Sequence, residues 1–154
     1  MKKYTELVEA ILPQIDELFP WDLDERLQQG DAPPLLLDIR EPDEFNAMHI
    51  AGSINVPRGI LEGACDWGYD DTVPELAAAR EREVIVICRS GNRSALAAHT
   101  MQQLGYTRVK SLKTGLRGWN DNEQPLVDAG GDTVDIDEAE EFFRNKPTAE
   151  QMGP

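Results

Sequence analysis

The chain has 154 residues, enough for one domain with a buried core and short for two. Its formal net charge of −14 argues against nucleic acid or an anionic membrane as a general partner, and its 40% apolar share suits a globular protein rather than a disordered or fibrous one. No apolar run approaches the roughly 20 residues of a bilayer span, and two cysteines, Cys65 and Cys88, cannot build a disulfide framework.

"MKKYTELVEAILPQIDELF" opens on two lysines and carries four carboxylates among its apolar residues. That suits an amphipathic helix better than a signal peptide and makes the cytoplasm the expected location. Helical periodicity over residues 3–18 (Leu7, Ala10, Ile11, Ile15, Leu18) is expected to kink or break at Pro13. "DLDERLQQGD" predicts a short helix with Asp22 as N-cap and Gly30 as its stop. "PLLLDI" (34–39) reads as a buried strand, "EPDEFNAMH" as a helix with Pro42 just inside its start, and "GSINVP" as a strand closed by Pro57.

Residues 58–82 are less regular: "RGILEGACDWGYDD" holds three glycines and is expected on the surface, ahead of a helix in "TVPELAAARER". "EVIVIC" (83–88) is the strongest strand signal in the chain. After "RSGN" the pattern turns helical through Ala95, Leu96, Ala98, Met101 and Leu104, and stops at Gly105. "RVKSL" predicts another strand, "TGLRGWNDN" a short helix or turn, and "DIDEAEEFFRN" one acidic helix. Residues 123–154 carry nine Asp or Glu against Arg144 and Lys146, half the net charge. A solvated, solubilising face is expected there, with a docking surface for a basic partner as the alternative. Short apolar strands alternating with helices predict an α/β domain on a mostly parallel sheet, with sites in the loops at the carboxyl ends of strands.

"CRSGNR" occupies such a loop. A helix start presents unpaired N–H groups and a positive dipole end, which favour an anion. Gly91 permits the backbone turns that let several N–H groups face inward. A thiol at the mouth of that nest is expected to ionise readily, and the guanidinium groups of Arg89 and Arg93 can grip an oxyanion. Nucleophile and anion cradle then coincide. The alternative is a small buried hydrophobe at a strand end, with two ordinary surface arginines. Zinc is not expected, because Cys65, Cys88, His49 and His99 lack paired ligand spacing.

Two separated blocks, "LLLDIREPDEFNAMHIAGSINVP" and "VIVICRSGNRSALAAHTMQQLGYTRVKSLKTGLRGW", resemble the rhodanese family of sulfurtransferases over about residues 33–126. Met48 stands where the family usually has glycine. The resemblance implies a rhodanese-like α/β fold: a central, mostly parallel sheet with helices on both faces, plus extra N- and C-terminal helical segments. The domain is expected over 31–126, with a helical extension over 1–30 packed on it and an acidic extension with a short helix over 127–154. These extensions either wrap the core or mediate pairing into a homodimer.

The resemblance also implies a persulfide cycle. Cys88 takes sulfur from a small anionic donor such as thiosulfate and passes it to a thiol or protein acceptor, with no metal or cofactor. Arg89, Ser90, Gly91, Asn92, Arg93 and Ser94 would hold the sulfur and the donor, and Arg40 would help draw the anion or else pair with Asp38. Four residues separate Cys88 from Arg93; phosphatases and arsenate reductases of this superfamily have a loop one residue longer. The basic loop suits thiosulfate better than mercaptopyruvate. A non-catalytic binding module is the other alternative. His49 and Trp119 are expected to be structural, His99 to lie away from substrate, and Cys65 to be an incidental thiol or a resolving partner for Cys88.

Overall fold

Two apolar runs set the architecture. "LLLD" and "VIVI" are buried at every position, as strands must be when helices cover both faces of their sheet. The computed structural model describes residues 1–30 and 32–154. In chain order these form α1 (Tyr4–Ile11), a 3₁₀ turn (Leu12–Gln14), β1 (Asp16–Leu18), α2 (Pro20–Gln28), β2 (Leu35–Asp38), α3 (Pro42–Ala47) and β3 (Ile54–Asn55). A second 3₁₀ turn (Arg58–Ile60) leads to α4 (Leu61–Ala64), α5 (Pro74–Ala77), β4 (Val84–Ile87), α6 (Asn92–Gln103), β5 (Val109–Leu112), α7 (Gly115–Asp121), α8 (Ile136–Phe143) and a last 3₁₀ turn (Glu150–Met152). No helix among the described residues is long and apolar enough to cross a membrane.

The strands form one parallel sheet in the order β1-β5-β4-β2-β3. Its register sets Leu35 beside Val84 and Val84 beside Val109. Alternation along each strand divides the core. Leu35, Leu37, Val84, Val86 and Cys88 pack with residues of α1, α4, α5 and α6, whereas Leu36, Ile85 and Ile87 pack with residues of α2, α7 and α8. Cys88 therefore continues the α6-side row of β4.

The α/β class, the strand and helix alternation and the break of the first helix at Pro13 agree with the sequence reading. The strand after that break was not expected: Asp16–Leu18 pair with Lys110–Leu112 as an edge strand. Residues 1–30 thus contribute a strand to the sheet rather than a purely helical extension. Three residues with one neighbouring strand and two carboxylates have no β signature of their own. Helix α2 begins at Pro20, in the N1 position that its missing N–H suits, and Asp22 sits one turn in, accepting from the Phe19 N–H at 3.3 Å. Residues 58–71 are not merely a surface segment, since Leu61, Ala64 and Cys65 are fully enclosed in the α6-side core. Helices of four residues are too short to show a period.

At the C-terminal side, Val127 bridges His49, and α8 buries Ala139 and Phe143 beside Trp119 while its carboxylates stay in solvent.

Asp38 and Arg40 organise the turn after β2. Both side chains are 0% exposed. Asp38 Oδ2 accepts from Arg40 Nη2 at 2.8 Å, the same Nη2 donates to the Met48 carbonyl at 2.7 Å, and Asn55 Nδ2 donates to the Asp38 and Arg40 carbonyls. Met48 has φ −167°, an extended backbone open to any residue, so the family's usual glycine is not required here. Removing one partner of a buried pair strands the other charge. Asp38→Ala is expected to lower the unfolding free energy by roughly 3 kcal/mol or more in urea denaturation.

Candidate functional site

Cys88 leaves β4 as the strand's hydrogen bonding ends and α6 begins four residues later. The thiol is 1% exposed. The N–H groups of Gly91 and Ser94 donate to Sγ at 3.1 and 3.3 Å. Gly91 has φ +94°, a left-handed conformation that glycine tolerates, and it caps α6. Sγ–H donates to Ser94 Oγ at 3.3 Å, and Ser94 Oγ lies 2.7 Å from Ser111 Oγ on β5. If the sulfur loses its proton, the Ser94 hydroxyl can turn to donate instead, with Ser111 as the next link.

The loop is held from outside by the start of α7. Leu116 N–H donates to the Cys88 carbonyl and Arg117 N–H to the Arg89 carbonyl, each at 2.9 Å. Because peptides are planar and trans, carbonyls turned toward α7 aim the N–H groups of Arg89 and Ser90 the opposite way. Gly115 makes this approach possible. A Cβ on it would fall 2.5 Å from the Arg89 carbonyl and 2.6 Å from that of Cys88, at φ +60°.

Arg93 is not free to face a ligand with both arms. Its Nη1 and Nη2 donate to the two oxygens of Glu44 at 2.8 and 3.0 Å, with 33% and 28% of the side chains exposed. Burial works to raise the Glu44 pKa. The hydrogen bonds and charge of Arg93, aided by the Glu41 N–H and the charge of Arg40, outweigh it and hold the carboxyl below its ordinary 4.5. The hydrogen bond to Glu44 likewise raises the Arg93 pKa against its own desolvation. Arg89 is half-buried, Ser90 exposed, and Asn92 opens α6.

Of the loop residues read from the sequence, Gly91 and Ser94 meet Sγ, whereas Arg93 is paired with Glu44 and Ser90 faces solvent. Arg40 does not meet Sγ either. Expected to help draw an anion, it is sealed from solvent and bonded to Asp38 and the Met48 carbonyl, because a buried guanidinium needs its partners close. Cys65 is fully enclosed in the core cluster that holds Tyr106, and burial pushes its thiol pKa up. That is the setting of a packing residue. His49 Nδ1–H donates to the Phe45 carbonyl at 2.8 Å, His99 meets Gln14 at 3.2 Å, and buried Trp119 donates to the Pro125 carbonyl at 2.9 Å.

Three contributors escaped sequence reasoning. Glu44 lies 49 residues from Arg93, and nothing local links them. Gly115 stood in a quoted motif, but its close approach depends on two loops meeting. Helix α1 and the turn after it flank the loop: Val8 and Leu12 line a groove with Ser90, Gly91 and Asn92. The Tyr4 phenol on α1 has its pKa raised, first by desolvation and then by the charge of Cys88, with Arg93 and Arg89 opposing.

Two measurements follow from this geometry. Gly115→Ala forces the loop from its place or strains φ, and is expected to cost at least about 2 kcal/mol of stability and to change the alkylation rate of Cys88. Glu44 has a depressed folded-state pKa, so its pairing contributes fully above its unfolded value and is lost as pH falls through the folded one. Unfolding free energies of wild type and Glu44→Gln are therefore expected to differ most at neutral pH and to converge in acid.

A family model described as "Rhodanese-like domain" matches residues 20–122. The "Putative thiosulfate sulfurtransferase, mitochondrial" of Schizosaccharomyces pombe is 36% identical over 95 residues, 60% of this chain and 67% of that one. Thiosulfate sulfurtransferase GlpE of Tolumonas auensis is 33% identical over 86 residues, 54% of this chain and 70% of that one. Other relatives are longer, and the match spans 40% and 22% of two of them. Among solved structures, a Rhodopseudomonas palustris protein of unknown function, named as a possible tyrosine phosphatase, superposes with a TM-score of 0.73 at 26% identity, covering 82% of this chain and 95% of that one. With two thirds of its length inside the family model and the parallel sheet on which that resemblance rests, the chain belongs to the rhodanese-like domain family.

Proposed function

We propose that the protein is a sulfurtransferase that moves sulfane sulfur from thiosulfate, or a similar small anionic donor, to a thiophilic acceptor through a persulfide on Cys88. One observation carries this reading: the N–H groups of Gly91 and Ser94 aim at Sγ from the start of α6. Amide donors and a helix N-terminus suit a sulfur anion, as a nucleophile that carries sulfur through a persulfide requires. The names of the S. pombe and T. auensis relatives support the same chemistry.

In the first half-cycle the Cys88 thiolate attacks the outer sulfur of thiosulfate. An S–S bond forms, the donor's S–S bond breaks, and sulfite leaves with its electron pair. In the second, the acceptor attacks the outer sulfur of the persulfide, and the electron pair of the broken bond returns to Cys88 as thiolate. The loop N–H groups of Arg89 through Ser94 hold the sulfur anion, and the Arg89 guanidinium meets the sulfonate end of the donor. Arg93 adds a field tempered by Glu44, and Arg40 keeps the turn after β2 in order. Two free cysteines suit a reducing compartment, and the cytoplasm is the location proposed.

A phosphatase is the second reading, favoured by the name of the R. palustris structure. The four residues between Cys88 and Arg93 weigh against it, since a tetrahedral phosphate needs the wider loop. Reduced protein incubated with thiosulfate is expected to gain one sulfur atom by intact mass and then to release thiocyanate on addition of cyanide. Cys88→Ser is expected to do neither. Turnover that survives the substitution overturns the proposal, as does an unloaded wild type that hydrolyses an aryl phosphate.

A further inference from the structure

The cradle at Cys88 holds fewer open charges than its sequence suggests. Arg93 stands in the first turn of α6, one residue before the Ser94 N–H that meets Sγ, and the charge of Cys88 acts on its guanidinium. Both of its arms are taken: Nη1 and Nη2 donate to the two oxygens of Glu44 at 2.8 and 3.0 Å. Among the described residues, no carboxylate stands within 4.0 Å of Arg89. The loop thus offers an incoming anion one open guanidinium and one already neutralised.

Glu44 is a fixed acceptor. It occupies the third position of α3, and its Oε1 also accepts from the Glu41 N–H at 3.2 Å, so the start of the helix aims the carboxylate. Arg40, whose charge also favours the Glu44 carboxylate, is sealed from solvent and bonded to Asp38 and the Met48 carbonyl. The Glu44–Arg93 pair itself reaches solvent, with about a third of each side chain exposed. A guanidinium in such a pair keeps its position but presents a dipole where a free one would present a full charge. The paired N–H fork that grips a carboxylate is also the one that grips a tetrahedral dianion. Glu44 therefore occupies the two donors that such an anion would claim.

We propose that Glu44 is a specificity-determining residue: by holding both arms of Arg93 it sets the loop for singly charged groups and disfavours doubly charged tetrahedral anions such as phosphate and sulfate. It acts through Arg93 and touches no substrate. The proposal rests on the Cys88 persulfide reading and deepens it, since there the loop holds a sulfur anion of one charge and must let sulfite go. Two open guanidinium groups beside the start of α6 would retain oxyanions and leave the sulfur blocked. Thiosulfate, itself doubly charged, binds more weakly because of Glu44, and the loop stays open in return.

The test reads anion binding at Cys88 without sulfur transfer, on the full chain at constant ionic strength. Alkylation of Cys88 by neutral iodoacetamide, followed by peptide mass, is run against sulfate or methanesulfonate, two tetrahedral anions that differ by one charge. Glu44→Gln keeps an oxygen for the Glu41 N–H and removes the charge. It is expected to lower the half-protecting concentration of sulfate roughly tenfold, and that of methanesulfonate no more than about threefold. Adding Arg93→Gln to Glu44→Gln is expected to abolish the gain. An unchanged sulfate value, an equal gain for both anions, or a gain that survives Arg93→Gln overturns the proposal. In wild type alone the two anions are expected to protect within about threefold of each other, and a larger preference for sulfate overturns it without any variant. In turnover, Glu44→Gln is expected to lower the KM for thiosulfate without raising kcat, and a higher KM counts against the assignment. Sulfur loading of wild type, read by intact mass, reports separately on Cys88. Should loading fail while the sulfate result holds, the persulfide reading falls and the anion selectivity assigned to Glu44 stands.

Discussion

The site depends on peptide groups whose direction is imposed from outside the loop. The N–H groups of Leu116 and Arg117 take the carbonyls of Cys88 and Arg89, and planarity then turns the following N–H groups away from α7. On the other side, α6 starts at Gly91, and its first N–H groups close on Sγ. A single sulfur thus meets two donors that belong to the backbone and cannot rotate away. Such preorganised dipoles stabilise a developing anion without reorganisation cost at the moment of reaction. Everything else in the sheet, from the apolar strands to the Asp38–Arg40 turn, keeps the ends of β4 and β5 at the separation this requires.

Charge is distributed by the same logic. The surface is strongly acidic, and most cations stand beside a carboxylate, Arg93 among them. Glu44 holds that guanidinium in a fixed orientation and reduces its net field. Three cations outside these pairs, Arg89, Lys113 and Arg117, lie at the carboxyl edge of the sheet, on the segments after β4 and β5. Long-range repulsion of anions by the whole protein is therefore countered only locally, and a small anion meets attraction at one edge.

The terminal segments have become part of this arrangement. Edge strand β1 completes the sheet beside β5, and α1, with Val8 and with Leu12 just past its end, flanks the loop. Both lie outside the residues matched by the family model. At the other end, α8 packs on α7, the helix whose first N–H groups hold the loop. Its apolar stripe is buried and its carboxylates remain in solvent, as an amphipathic helix on a core requires.

What the sequence determined by itself was local. The runs "PLLLDI" and "EVIVIC" specify buried parallel strands by continuous apolarity, and Gly91 followed by an alanine-rich stretch specifies a helix start after the cysteine. Spacing within "CRSGNR" specifies the size of the loop. Periodicity is blind to pieces of three or four residues, so β1 and α4 had no clear signature. The tertiary structure alone decided what depends on distant segments meeting: Glu44 against Arg93, Gly115 against the Cys88 carbonyl, Arg40 enclosed instead of facing an anion. Each of these is set by how two loops pack at the end of a sheet, and burial and pairing there are properties of the assembled core that no single stretch of chain encodes.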